Sequence, residues 1–269
     1  TPGVLDGIRF LRDVSFDKPQ GQLGRTVVIG GGNVAVDAAR SARRLGADVT
    51  IVYRRTRAEL PAYEEEIKGA EEEGIKFAFL TQPVGAVAGG GRVTALRCVR
   101  MELGTADATG RRQPAPVEHS EFQIPCDTVI SAISQRVSSN SVWGLKLTKS
   151  GAYDVNPVTL ATSRKNVLAG GDCARGPASV IQAIGDGQRA ACSIDTMFGG
   201  SGKLPDNLKL SHNRYALEGE EMMPRQRPLL SKLAARTVSF NEVVTTLGQA
   251  EVQHEARRCL RCDMEREHK

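Results

Sequence analysis

Residues 26–55 limit what this chain can fold into more than any other stretch. They open with Thr26-Val27-Val28-Ile29, pass through Gly30-Gly31-Gly32, and continue as Asn33-Val34-Ala35-Val36-Asp37-Ala38-Ala39-Arg40 towards Gly46. A second β-branched run follows, Val49-Thr50-Ile51-Val52. An apolar run without polar alternation suits a parallel strand buried on both faces. Val34, Ala38 and Ala42 recur at helical spacing, and Gly46 stands where a helix would end. The sum is a strand–turn–helix–strand unit of about 30 residues, the setting in which Gly-x-Gly-x-x-Ala carries meaning.

The chemistry of such a turn comes from access to the backbone. Gly30 permits the tight reversal, Gly32 lets a pyrophosphate approach the main chain, and Ala35 lets helix and strand pack closely. With Gly31, Asn33 and Val34 they form a candidate dinucleotide site at a helix N-terminus, whose free N–H groups and partial positive charge favour phosphate. The alternative is a tight turn that holds nothing. The end of the second strand discriminates between dinucleotides, because an acid there would bond a ribose 2′-hydroxyl. This chain has Tyr53-Arg54-Arg55-Thr56-Arg57 instead. Guanidinium forks suit a 2′-phosphate dianion, so NADP(H) is expected over NAD(H). A solvated basic loop would explain Arg54, Arg55 and Arg57 but not the missing acid.

Composition removes several other classes. A length of 269 residues allows one large or two ordinary domains. Only 4% of residues are aromatic, which leaves little for stacking on nucleic-acid bases. The 36 basic and 31 acidic residues give a formal charge of +5 with both signs interspersed, as on an ordinary solvated surface. No apolar run reaches the roughly 18 residues of a membrane span. Residues 1–10 have neither the basic nor the apolar region of a signal peptide. Six cysteines at irregular spacing do not form a disulfide framework, so a reducing, cytoplasmic setting is expected.

Further along, residues 59–74 suggest a loop and then an exposed acidic helix. Residues 75–104 suggest strands and a hairpin about Gly89-Gly90-Gly91, residues 104–121 a polar, proline-containing loop, and residues 122–134 a returning strand with Val129, Ile130 and Ile133 apolar. Residues 24–135 are therefore expected to form an α/β domain with an antiparallel insertion. A strand over Asn166–Ala169 should lead into Gly170-Gly171-Asp172, and a helix should run from Ser179 past Ala191. On its own, Gly171-Asp172 reads more readily as an ordinary strand-to-loop turn.

Taken together, Thr1–Leu11, Val28–Arg40, Tyr53–Ala62 and Ala169–Ala191 resemble the NADPH-dependent glutamate synthase small (β) subunit and its relatives. The resemblance covers roughly residues 1–200. It implies a two-dinucleotide flavoprotein fold, with a Rossmann-like NAD(P)-binding domain inserted in an FAD-binding domain, and electron flow from NADPH to FAD and on through iron–sulfur clusters. It also implies that Arg54 and Arg55 take the 2′-phosphate, that Ile133 lies near the nicotinamide, and that Gly171 and Asp172 meet the flavin's ribityl or phosphate region. Ile181, Gln182 and Ala183 would start the helix beneath the isoalloxazine. The family's strand end Ala-Ile-Gly is Ala132-Ile133-Ser134 here, which brings a Cβ towards the nicotinamide. The family's first glycine turn for FAD and its N-terminal cluster cysteines are not found in this sequence. Residues 1–269 are accordingly expected to be a fragment, or a subunit whose partner carries the rest, inactive alone. The other reading is an NADP(H)-binding module without chemistry of its own.

Cysteine spacing completes the expectations. Between residues 24 and 135 only Cys98 and Cys126 occur, too far apart in sequence for a redox Cys-x-x-C. The one Cys-x-x-C is Cys259-Leu260-Arg261-Cys262, in a tail that resembles the junction to a ferredoxin-like cluster module. It supplies two thiolates of the four a [4Fe–4S] cluster needs; a zinc half-site or an idle pair are the alternatives. An iron–sulfur or electron-acceptor subunit is the expected partner. The divisions are residues 1–23 as crossover, 24–135 for NAD(P), 136–200 as the C-terminal part of an FAD-binding domain, and 201–269 as a helical tail, with helices expected over 212–222 and 239–262.

Overall fold

The structure is a computed structural model, and it describes residues 1–106, 112–133, 135, 137–138, 143–203 and 224–258. Two compact units are present, one of residues 1–133 with 224–258 and the other within residues 134–222.

The first unit is built on a five-stranded parallel sheet. Its strands are β1 (Val4–Asp6), β2 (Arg25–Ile29), β3 (Asp48–Val52), β4 (Lys76–Ala78) and β9 (Thr128–Ser131), in the order β1-β9-β2-β3-β4. The β2–β3 register pairs Val28 with Ile51, and the β2–β9 register pairs Val28 with Ile130. Successive side chains of a strand point to opposite faces. Val28, Ile51 and Ile130 accordingly enter one core, with α1 (Gly7–Ser15), α2 (Asn33–Arg44) and α3 (Glu64–Glu72). Val27, Val52 and Val129 enter a second core, with Val93, Leu96, Cys98 and Cys126. Burial on both faces explains why these strands lack polar alternation. Ala35, Ala38, Ala39 and Ala42 are fully buried; their small side chains let α2 sit close on the sheet. Residues 1–23 contribute β1, paired in parallel with β9, and α1.

The second layer is antiparallel: β5 (Thr81–Gly89), β6 (Arg92–Ala106), β7 (Arg112–Pro116) and β8 (Phe122–Pro125), with β6 pairing all three others. The hairpin about Gly90-Gly91 stands as expected. The stretch 104–121 does not, because β6 runs to Ala106 and β7 pairs back onto it through Met101–Pro116, Glu102–Ala115 and Leu103–Pro114. Prolines obscure this strand in the sequence. They are tolerated because β7 bonds only to β6 and so lies at an edge.

The acidic helix also departs from expectation at its end. Glu73 is buried, and its carboxylate receives Arg40 at 2.7 Å and Arg44 at 3.1 Å, both from α2. Arg43 donates to the Glu73 carbonyl at 3.1 Å, and Arg40 also reaches Glu66. A glutamate expected on a solvated face is thus the anion of a buried cluster that ties α3 to α2. In the C-terminal part of this unit, helix is confined to α6 (Leu233–Arg236) and α7 (Gln249–Arg257). The helix expected from residue 239 therefore starts ten residues late. Val243, Val244, Thr245 and Thr246 form a β-branched run that favours extended backbone, and Val244 bridges Leu230. The helix expected over 212–222 lies outside the described residues.

The second unit carries α4 (Asp172–Arg175) and α5 (Val180–Met197) beside isolated bridges. Helix α5 starts after Ser179 as expected. The strand expected over Asn166–Ala169 reduces to one bridge, Ala161–Leu168, because Asn166 has φ +63° and breaks the extended run at its start.

Candidate functional site: a glycine turn with an arginine loop tied to it

The turn after β2 lies against the end of β9, where the strand order reverses direction, the usual place for a ligand in an open α/β sheet. Its three glycines are used differently. Gly30 has φ +142°, and a Cβ there would stand 2.6 Å from the Ala132 carbonyl oxygen. At Gly31 a Cβ would stand 2.6 Å from the Tyr53 ring. At Gly32 nothing lies within 4 Å. Two glycines are therefore required by packing, and the third opens onto free space. Gly32 is also the N-cap of α2 and has no side chain to cap it. Its carbonyl accepts from Ala35 and Val36, so the N–H groups left without a partner among the described residues are those of Asn33 and Val34. The geometry is a helix N-terminus with uncapped donors in front of a position lacking Cβ, an arrangement whose partial positive charge suits an anion.

The loop after β3 is fastened to this turn. Ala62 N–H donates to the Gly31 carbonyl at 3.1 Å, and Tyr63 N–H donates to Asn33 Oδ1 at 3.0 Å. Tyr53 hydroxyl donates to the Glu59 carbonyl at 2.8 Å. The three arginines of this loop are not equivalent. Arg57 pairs with Glu64 at 2.9 Å and Glu71 at 3.0 Å. Arg55 donates Nε to the Arg112 carbonyl at 3.0 Å. Arg54 is exposed and has no partner among the described residues. Glu59, on the single turn Arg57–Glu59, accepts the Thr56 N–H at 3.0 Å and the Thr56 hydroxyl. Its other oxygen accepts from Arg112 Nε at 2.9 Å and Nη2 at 2.7 Å. These donors, Thr56 first, hold the Glu59 carboxyl below its usual range. Sequence reasoning missed Glu59 and Arg112. The Thr56-x-x-Glu59 spacing was a readable capping signal, but nothing local announced Arg112.

Ile133 follows β9 and is exposed, next to the Ala132 carbonyl that packs on Gly30. Ser134 lies outside the described residues. Cys98 and Cys126 are both buried free thiols, and burial pushes Cys98 up to about 11. Neither is a thiolate ready for exchange.

In the second unit, Gly171 takes φ +70° at the N-cap of α4. Its N–H donates to Asp186 Oδ2 at 2.8 Å, and Arg175 Nε reaches the same oxygen at 2.8 Å. Arg175 and Arg189 both close on Oδ1. Asp186 is buried, and Arg175, then the Gly171 N–H, hold it far below the carboxylate range. A Cβ at Gly170 would stand 2.8 Å from the Asp186 Cβ. Asp172 Oδ1 accepts the Ala178 N–H at 3.2 Å. Gln182 is engaged in a capping box with Ser179, while Val180 and Ile181 N–H have no partner among the described residues. Ile181 is exposed, and Ala183 lies 3.5 Å from the Cβ position of Gly171. Cys173 donates to the Gly170 carbonyl at 3.1 Å, as a packed residue does. Cys259 and Cys262 lie outside the described residues.

This fold and turn define a dinucleotide-binding α/β protein. The sequence profile of the family described as pyridine nucleotide-disulphide oxidoreductase matches residues 1–187, and the chain belongs to that family. It is 41% identical to the NADP(+)-dependent formate dehydrogenase subunit beta of Moorella thermoacetica, over 97% of this chain and 39% of that protein. It is 35% identical to the NADPH-Fe(3+) oxidoreductase subunit beta of Geobacter sulfurreducens, over 95% of this chain and 44% of that protein. It is 39% identical to the glutamate synthase [NADPH] small chain of Escherichia coli, over 71% of this chain and 42% of that protein, which bears out the resemblance read from the motifs. The chain thus spans less than half the length of these relatives. Among solved structures, Mycobacterium tuberculosis FprA in complex with NADPH is similar with a TM-score of 0.53 and 22% identity, over 65% of this chain and 53% of that one. That similarity supports the fold class.

Proposed function

We propose that this chain is the NADPH-binding part of a flavoprotein oxidoreductase that accepts hydride from NADPH and sends electrons on to iron–sulfur centres. The observation that carries the reading is the open Gly32 at an uncapped helix N-terminus, with the arginine loop tied to the same turn. In this reading Gly32 and the N–H groups of Asn33 and Val34 receive the pyrophosphate, with Gly30 and Gly31 shaping the turn. Arg54 and Arg55 receive the 2′-phosphate, and Arg57 stiffens the loop through Glu64 and Glu71. Ile133 borders the nicotinamide side.

FAD, when bound, supplies a two-electron acceptor that can release electrons one at a time. The residues present fit one side of such a group. Gly171 and Asp172 offer a turn held open by Asp186, and α5 offers two N–H groups at its start beside Ile181, Gln182 and Ala183. Cys259 and Cys262 are proposed as thiolate ligands to an iron–sulfur cluster completed by other cysteines. The relatives named as β subunits support a partner subunit as electron acceptor. No described helix is long and apolar enough to cross a membrane, and a cytoplasmic place is proposed with the rest.

The test replaces Arg54 and Arg55 together by Ala. NADPH binding should weaken by roughly 1.5–3 kcal/mol for each charge-assisted hydrogen bond to the phosphate that the change removes, and NADH binding should hardly change. Equal weakening of both would show that these arginines support the loop and do not read the phosphate.

A further inference from the structure

The arginine loop contains an acid, Glu59, in the region where NADP(H) recognition disfavours one. Its side chain is only 11% exposed. Thr56 saturates one carboxylate oxygen, and the other is contacted by Arg112 alone. Arg112 comes from β7, 53 residues further along the chain. The same residue offers its carbonyl to Arg55 Nε, which leaves the terminal nitrogens of Arg55 without a partner among the described residues. Arg112 therefore touches both charges of the loop. It cancels the anion with its side chain and aims the cation with its backbone.

We propose that Arg112 is a positioning residue for cofactor choice: by occupying Glu59 it keeps that carboxylate from pairing with Arg55 and from repelling a 2′-phosphate. The inference rests on the NADPH reading above and extends it to the antiparallel layer. That layer then has a role beyond covering the sheet, since the edge strand β7 supplies the counter-charge. A freed Glu59 would leave an uncompensated negative charge in the loop that this reading assigns to the 2′-phosphate. The backbone bond from Arg55 should survive loss of the Arg112 side chain, so a side-chain variant isolates the charge.

The experiment titrates the 269-residue chain with NADPH and with NADH at low ionic strength, in wild type, Arg112→Ala, Arg112→Lys, Glu59→Gln and the Arg112→Ala/Glu59→Gln double variant. Arg112→Ala should raise the NADPH dissociation constant about tenfold and the NADH constant less than about twofold, as loss of a charge complement at a phosphate site does. Glu59→Gln alone should leave NADPH binding unchanged, and adding it to Arg112→Ala should restore most of the loss. A loss and rescue confined to NADPH, with NADH binding and the thermal midpoint unmoved, is the signature a merely structural arginine would not give. Arg112→Lys keeps the charge and should stay near wild type, and it carries the test if the alanine variant fails to fold. A wild-type chain that binds both cofactors equally would remove the NADPH reading itself. A wild-type preference for NADPH that neither Arg112→Ala nor its rescue alters would overturn the role of Arg112 and leave the reading intact.

Discussion

Asn33 Oδ1 accepts the backbone N–H of Tyr63 at 3.0 Å, so the first residue of α2 holds the far end of the arginine loop. The uncapped start of α2 and the arginine loop are thereby one piece of structure. Asn33→Ala keeps the helix N–H groups and removes this tie. It should weaken NADPH binding by about 1 kcal/mol, the worth of one hydrogen bond, and NADH binding by less. Titration with both cofactors gives the comparison; an equal loss for the two would place the effect in the turn and not in the loop.

Gly31 and Gly32 should separate stability from binding. Gly32→Ala adds a methyl where nothing lies within 4 Å and φ is −87°, so the fold should be unaffected. Both dinucleotides should nevertheless bind much more weakly, because the methyl occupies the approach to the main chain. Gly31→Ala drives a methyl into the Tyr53 ring and should cost about 1–3 kcal/mol of stability, as overpacking does. Thermal melts beside NADPH titrations check both. A Gly32→Ala variant that binds normally would move the pyrophosphate elsewhere.

Removing Glu73 should be among the most damaging single changes in the first unit. Glu73→Ala leaves Arg40 and Arg44 buried beside one another without their shared anion. Breaking a buried ion pair on one side costs about 3–5 kcal/mol. Urea unfolding should show this loss. A change below about 1 kcal/mol, the value of an exposed pair, would mean the cluster is solvated.

The second unit should weaken in acid through Asp186. Its folded-state pKa lies far below the ordinary value, so the stability it contributes is complete above the unfolded carboxylate range and is lost as pH falls through and below it. Asp186→Asn should accordingly be less stable than wild type at neutral pH, with the gap closing as pH drops below 3.8. The chain's single tryptophan, Trp143, stacks on Tyr153 in this same unit, so its fluorescence follows the transition. A stability gap that stays constant from neutral pH to strong acid would contradict the assignment.

The sequence displays the parts of this fold that depend on near neighbours. The β2–turn–α2–β3 unit is written in β-branched runs, glycines and alanine spacing, and the Ser179–Gln182 cap marks the start of α5. What stayed hidden depends on partners far along the chain. Glu73 sits in a run of glutamates and is singled out only because Arg40 and Arg44, four residues apart, face it from another helix. Arg112 meets Glu59 across 53 residues, and Asp186 meets Gly171 across 15. Strand β7 was masked by Pro114 and Pro116, which signal a loop unless the strand is known to lie at an edge. The arginine loop was legible as a charge pattern. The division of labour within it was not, since Arg57 differs from Arg54 only through Glu64 and Glu71.

The central claim is that the uncapped start of α2 and the arginine loop together select NADPH. Its most direct test is the pair of dissociation constants for NADPH and NADH, measured on the unmodified chain at low ionic strength. The account predicts NADPH binding tighter by about tenfold or more, the value of one charge-assisted hydrogen bond. Equal constants, or tighter binding of NADH, would contradict it.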